Sequence, residues 1–332
     1  MLAHLQHAIK TALSEKNAFS GIYASAEKEY HLNDFILFLK PEIVSNVRFD
    51  IFIEILSEVL EKIKSHPIKI NQIYLLHADY LSKETIIEEH YKAINDVAKA
   101  PLQAMASGAK KTFRDVFGLP VTDTHILGGW EMLNAYPELD AQELDRMWQQ
   151  SDSKKLDGGV YCSRIQMGTK EIFLVNGFAP IQIAHYTEDN SFILLFDVTS
   201  DLDWHFIRHD FCGATRPSEA KPNSLRYDLF ANQKRYGIDV SISKNGVHVS
   251  AGPVEGLKEK MNFLQIDDPE KIPFGKTLLR HFSSEDVHRF IANKMLVIDG
   301  EENSVFNLTE NLNSDEAIER LKDYQPFNWS GD

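Results

Sequence analysis

Short apolar runs alternate with amphipathic stretches along most of this 332-residue chain, and that alternation limits its fold. Phe35 to Leu39 is an apolar run ended by Lys40-Pro41, which reads as a buried strand stopped by proline. Phe52, Ile53, Ile55, Leu56, Val59, Leu60 and Ile63 recur at helical spacing, with Glu54, Glu58, Glu61, Lys62 and Lys64 on the other side. His66-Pro67 ends that helix. Ile73 to Leu76 is a second strand candidate. Ser82 is expected to cap a helix running through Ile86, Ile87, His90, Tyr91 and Ile94. Ser191 to Val198 then reads as a strand and Trp204 to Phe211 as a helix. A polar loop from Gly213 to Arg226 follows, then a short strand at Val247 to Ser250 and a helix at 254–263.

Between 101 and 190 glycine and proline become frequent. A short helix is expected near 141–150, with strand-like pieces at Ile172 to Val175 and Ile181 to Ala184. Residues 1–33 read as an extension with a helix near 3–15. The tail from about 266 is charged and partly helical, with a helix at 314–323. Without 101–190 the order is β-α-β-α, then β-α-loop-β-α. This predicts an α+β fold, a ferredoxin-like four-stranded antiparallel sheet with helices on one face. Residues 34–100 and 191–265 would form the core, 101–190 an insertion, and 1–33 and 266–332 extensions.

Composition narrows the function classes. Hydrophobic residues make up 43% and charged residues 25%, which excludes collagen, a disulfide scaffold and a disordered chain. The balance of 35 Lys+Arg against 49 Asp+Glu gives −14, which argues against a nucleic-acid polymer as partner. It leaves room for a nucleotide, because a few cations in a pocket can hold a triphosphate. No stretch reaches the roughly 20 apolar residues of a membrane helix, and the N-terminus lacks a signal-peptide core. Cys162 and Cys212 make no disulfide framework and no Cys-x-x-Cys. The expected setting is reducing and cytoplasmic.

Four pieces carry the chemistry: Lys40-Pro41-Glu42, Glu89-His90-Tyr91, the loop Thr215 to Arg226, and Asn245-Gly246-Val247-His248-Val249-Ser250. A strand histidine followed by small residues and a helix can set its imidazole beside a helix N-terminus, where phosphate binds well. Neutral imidazole attacks phosphorus, and a covalent intermediate splits one transfer into two steps. A carboxylate such as Glu259 could hold one ring nitrogen and orient the other. Read one at a time, these residues also have plainer roles. Lys40 could be a solvated strand end, Tyr91 core, Glu259 a surface helix residue, and Asn245-Gly246 a hairpin turn. Thr215 and Arg226 could simply stabilise a long loop.

Together and in this order, the four pieces resemble the nucleoside diphosphate kinases. The family pattern Lys-Pro-Asp stands here as Lys40-Pro41-Glu42, and its His-Tyr as His90-Tyr91. The nucleotide loop fits Thr215-Arg216-Pro217 through Lys221-Pro222-Asn223-Ser224-Leu225-Arg226, and Asn-x-x-His-x-Ser fits Asn245 to Ser250. The resemblance covers roughly 34–100 and 191–265. It implies that His248 is the phosphorylated nucleophile, with Glu259 orienting it and Ser250 assisting the phosphate. Lys40 and Tyr91 would line the phosphate pocket, Thr215 and Arg226 would bind nucleotide phosphates, and Asn245 the sugar or phosphate. Mg²⁺ would travel with ATP or another nucleotide, with no protein metal ligand. The partners implied are nucleoside di- and triphosphates and further copies of the chain, as a dimer or higher homo-oligomer.

The chain also departs from that pattern. Val97 stands where the family has an arginine, with Lys99 nearby. The base-stacking aromatic is replaced by Ala98-Lys99-Ala100-Pro101, and Phe113, Phe117, Trp130 or Tyr136 could offer another surface or form local core. His209 stands at a second arginine position, with Arg208 beside it. Neighbouring helix residues point about 100° apart, so Arg208 is no automatic substitute. These changes leave a second expectation open, a nucleotide-binding regulatory protein without efficient transfer. His205 and His209 lie i, i+4, a possible metal pair, but without the glutamate of a zinc protease.

Overall fold

The computed structural model describes residues 2–26, 31–121, 126–298 and 301–324. It is a mixed α/β protein built largely on antiparallel strand pairing, in two units: residues 1–81 with 189–332, and residues 82–188.

In the first unit the strands Phe19–Ala24, Asn33–Leu39, Ile68–His77, Phe192–Ser200 and Val247–Val249 form one sheet. Across the sheet they run first, third, fourth, second, fifth, and every neighbouring pair is antiparallel. Every residue of Asn33–Leu39 is buried, so both faces of that strand must be covered. Phe35, Leu37 and Leu39 pack into a core shared with Phe52, Ile55, Leu56 and Val59 of the helix Phe49–Lys64. Each such side chain contributes about 1.5–3 kcal/mol of transfer free energy. Pro41 opens the short helix Pro41–Val44, which turns the chain away from the sheet as the sequence predicts.

Helices on one face only is the first expectation that the structure corrects. Asp34, Ile36 and Phe38 alternate onto the opposite face, and the helix Pro253–Phe263 covers them. The Phe263 ring centroid lies 5.5 Å from that of Phe38, and Lys260 reaches Asp34. A continuously apolar strand, unlike an alternating one, needs this second cover.

The ends are more than appendages. Leu5, Ile9 and Ala12 of the helix Leu2–Glu15 join the main core, and Phe19–Ala24 pairs with Ile68–His77 as a further strand. Added strands cover an edge that would otherwise expose unpaired backbone groups. Towards the C-terminus the helices Pro273–His281, Ser284–Ile291 and Ser314–Lys322 share a second core with Val254 and Leu257. The strands Met295–Ile298 and Glu301–Ser304 pair antiparallel beside them.

The second unit starts earlier than the expected insertion. Its mixed sheet pairs Ile126–Gly128 parallel to Lys170–Val175, with Val160–Met167 and Lys154–Asp157 added antiparallel. Val97 and Ala98 of the helix Lys92–Lys99 are buried here, and Asn176 Nδ2 donates to the Ile94 carbonyl over 3.1 Å. These contacts bind residues 82–100 to the unit, so the boundary falls at 81/82 instead of 100/101. Ser82 caps nothing; it lies inside the helix Ala78–Lys83. The long helix expected there breaks at Thr85, whose φ of 53° is left-handed, and resumes as Ile86–His90 and Lys92–Lys99. Ile181 to Ala184 is helical, inside Ala179–Thr187, because Ala179, Ile183 and Tyr186 bury one helical face. Phe113 and Phe117 pack on Phe173, with ring centroids 5.2 and 5.1 Å away, and so form local core. No described helix is long and apolar enough to cross a membrane.

Candidate functional site

The strand Val247–Val249 pairs antiparallel with Asn33–Leu39, which sets His248 opposite Phe38. Their rings stack, with centroids 4.5 Å apart and planes inclined by 20°. The approach to this strand depends on Gly246. Its φ is +78°, and a Cβ there would lie 2.3 Å from Leu229 Cδ1. Its amide donates to Glu42 Oε1 over 2.8 Å, and its carbonyl accepts from the Lys40 amide over 2.9 Å. Lys40-Pro41-Glu42 and Asn245-Gly246 are thereby tied together.

The helix Pro253–Phe263 brings Glu259 to the same point. His248 Nε2 lies 2.8 Å from Glu259 Oε1, and the Ser250 hydroxyl donates to Glu259 Oε2 over 2.5 Å. One carboxylate thus bridges the histidine and the serine. Ser250 is fully buried, and its single proton goes to Glu259, so its position fits ordering the carboxylate better than touching a phosphate. Burial is the main cause that holds the His248 pKa well below its usual 6.5; the Lys40, Arg226 and Arg208 charges add to it. An adjacent carboxylate alone would act the other way. The ring is therefore neutral at neutral pH, with Nε2 donating to Glu259.

Lys40 is buried, and its Nζ lies 3.4 Å from the Ser243 carbonyl. Burial lowers its pKa to about 8, Glu42 opposes that shift, and Arg226 adds to it. Arg226 sits at the start of the helix Leu225–Ala231, capped by Ser224. Its guanidinium donates to the Val247 carbonyl over 2.9 and 3.2 Å and to the Gly213 carbonyl over 2.8 Å. Asn245 is buried; its Nδ2 donates to the Thr215 and Ile242 carbonyls over 3.2 and 3.1 Å. Its Oδ1 is a buried acceptor with no partner among the described residues, which costs about 1–3 kcal/mol until a donor arrives. Thr215 itself is exposed. Tyr91 belongs to the second unit, where its hydroxyl lies 2.9 Å from that of Tyr186.

Arg208 and Glu255 join the site without having been expected there. Residues Ile207–Cys212 form a π-helical turn, closed by the Gly213 amide donating to the Arg208 carbonyl over 3.0 Å. The wider turn changes the direction of each side chain, and such turns occur often at functional sites. The Arg208 charge is among those that lower the His248 pKa, whereas the His209 ring lies tilted against that of His205, with centroids 4.3 Å apart and planes inclined by 35°. Burial comes first among the causes lowering the His209 pKa, and the His205 charge second.

Glu255 lies one helical turn before Glu259. Burial, then the Glu259 charge, pushes its pKa up from 4.5 to about 8. The folded chain thus keeps a proton that the unfolded chain releases above 4.5. The associated stability is complete below that pH and lost as pH rises through about 8. Glu255→Gln should therefore raise the melting temperature more at about pH 9 than at about pH 5. Equal shifts at both pH values in paired thermal melts would contradict this.

No protein-family model matches the chain, and no curated protein matches it.

Proposed function

We propose that this protein is a nucleoside diphosphate kinase-like phosphotransferase that works through a phosphohistidine on His248. The observation that carries the reading is the Glu259 carboxylate bridging His248 Nε2 and the Ser250 hydroxyl, at 2.8 and 2.5 Å. A buried carboxylate spent on one ring nitrogen selects the tautomer and the direction of the other. The strand order supports the reading as well. The strands Asn33–Leu39, Ile68–His77, Phe192–Ser200 and Val247–Val249 run second, third, first, fourth across the sheet, as a ferredoxin-like core requires.

In the proposed reaction Nδ1 of neutral His248 attacks the γ-phosphorus of a nucleoside triphosphate. The bond to the β-phosphate oxygen breaks, and its electron pair leaves with the nucleoside diphosphate. The imidazole gains positive charge, which Glu259 stabilises through Nε2–H. A second diphosphate then attacks the phosphohistidine and restores the neutral ring. Lys40, Arg226 and Arg208 bring positive charge to the phosphates, with Thr215 at the exposed edge. A ribose hydroxyl is the donor that Asn245 Oδ1 lacks. Mg²⁺ would arrive with the nucleotide and would neutralise charge developing on its phosphates.

The test is transfer from ATP to a second nucleoside diphosphate, with initial rates measured over both substrates. Parallel double-reciprocal lines are expected, as ping-pong transfer requires. One observation favours the second reading, a nucleotide-binding regulatory protein: Arg226 already spends its donors on the Val247 and Gly213 carbonyls. ADP binding by calorimetry with no transfer would favour that reading.

A further inference from the structure

The residues after the helix Val305–Thr309 lie on the turn that follows His248. The Asn311 amide donates to the Ala251 carbonyl over 3.0 Å. A Cβ on Gly252 would fall 2.5 Å from the Thr309 carbonyl oxygen and 3.2 Å from Glu310 Cα, so only glycine admits this approach. The segment has a firm anchor on its far side. Asn313 Oδ1 accepts from the Trp204 amide and Asn33 Nδ2, over 2.9 and 2.8 Å, and the Ser314 amide donates to Asn33 Oδ1 over 3.0 Å.

Arg208 is the cation beneath this segment. Its Nη1 donates to Glu310 Oε1 over 2.6 Å and to Asn311 Oδ1 over 2.8 Å. The side chains of Arg208 and Glu310 are 22% and 44% exposed, so a competing anion from solvent can reach the pair. A carboxylate on a guanidinium uses the same donors that a phosphate would use.

We infer that residues 309–311 form a strap gating the phosphate site, with Glu310 holding Arg208 in place of a nucleotide phosphate. This rests on the reading that nucleotide phosphates bind beside His248. Arg208 is then a phosphate-binding residue that nucleotide must take from Glu310. Part of the binding free energy goes into that exchange. The C-terminal residues thereby set how tightly the site holds its ligand.

The test is calorimetry of the full chain with Mg-ADP for wild type, Glu310→Gln, Arg208→Ala and the double variant. Glu310→Gln keeps the shape and removes the charge. It should bind ADP about fivefold more tightly than wild type, the scale of an exposed charge-assisted contact. Arg208→Ala should weaken binding, and Glu310→Gln should give no gain on that background. Unchanged or weaker ADP binding by Glu310→Gln, or no ADP binding by any form, would overturn the strap. Phosphohistidine formation is scored separately in the same proteins. Tighter ADP binding by Glu310→Gln without any phosphohistidine supports the strap and counts against the transferase reading alone.

Discussion

Lys260→Met should lower the unfolding free energy by about 3–5 kcal/mol, the usual cost of breaking a buried ion pair from one side. Lys260 lies on the helix that carries Glu259, but its ammonium turns under the sheet to the carboxylates of Asp34 and Asp197. The Lys260 and Asp34 side chains are 4% and 5% exposed, and that of Asp197 16%. Burial alone would lower the Lys260 pKa; the Asp197 and Asp34 charges overturn it and raise it. Methionine fills a similar volume but leaves two carboxylates buried together without a cation. Urea unfolding of the variant should therefore show a much lower midpoint with the same slope. Burial already raises the Asp34 pKa against the pull of Lys260, so without the cation protonation of Asp34 stabilises the folded state. The deficit should shrink as pH falls towards about 4. The triple variant Asp34→Asn, Asp197→Asn, Lys260→Met should recover most of the loss, because no charge is then buried. A Lys260→Met protein as stable as wild type would show that the triad contributes nothing.

Replacing His248 should have the largest effect on chemistry. His248→Asn removes the attacking nitrogen and should abolish covalent phosphate altogether. Glu259→Gln keeps a carbonyl for Nε2–H but removes the charge, and should slow phosphorylation by about 10- to 100-fold. Because burial and three cations hold the His248 pKa well below 6.5, the neutral ring persists into mild acid. The phosphorylation rate of wild type should stay flat as pH falls through 6.5, then drop. A half-maximal rate at or above pH 6.5 would contradict the electrostatics of the site.

Much of this site is legible in the sequence, for identifiable reasons. Lys40-Pro41 and Asn245-Gly246 stand at the ends of short apolar strands, where backbone geometry limits the residue types allowed, and His248 interrupts such a strand. Glu259 stands on a helix whose start is marked by Gly252-Pro253. What escapes depends on long-range pairing. Asp197 interrupts an apolar strand and Asp34 opens one, and a lone acid there is itself a sign that a buried cation must face it. Lys260, next to a candidate site residue, was that cation. Arg208 escapes because helical spacing assumes a regular turn, and the π turn at Ile207–Cys212 breaks that assumption. Ser82 and Ile181 mislead because capping preference and β-branched composition are weak against tertiary packing. The strap at 309–311 is invisible in sequence, since Glu310 and Asn311 acquire meaning only beside Arg208.

The central claim is that His248 takes a phosphoryl group. The direct measurement is to mix wild type with Mg-ATP, digest under alkaline conditions and map phosphate by mass spectrometry. The account predicts one phosphoryl group on the peptide that carries His248, stable to base and lost in acid, and removed by adding a nucleoside diphosphate. Folded protein that binds ATP yet carries no phosphate on that peptide, or His248→Asn protein labelled as fully as wild type, would contradict it.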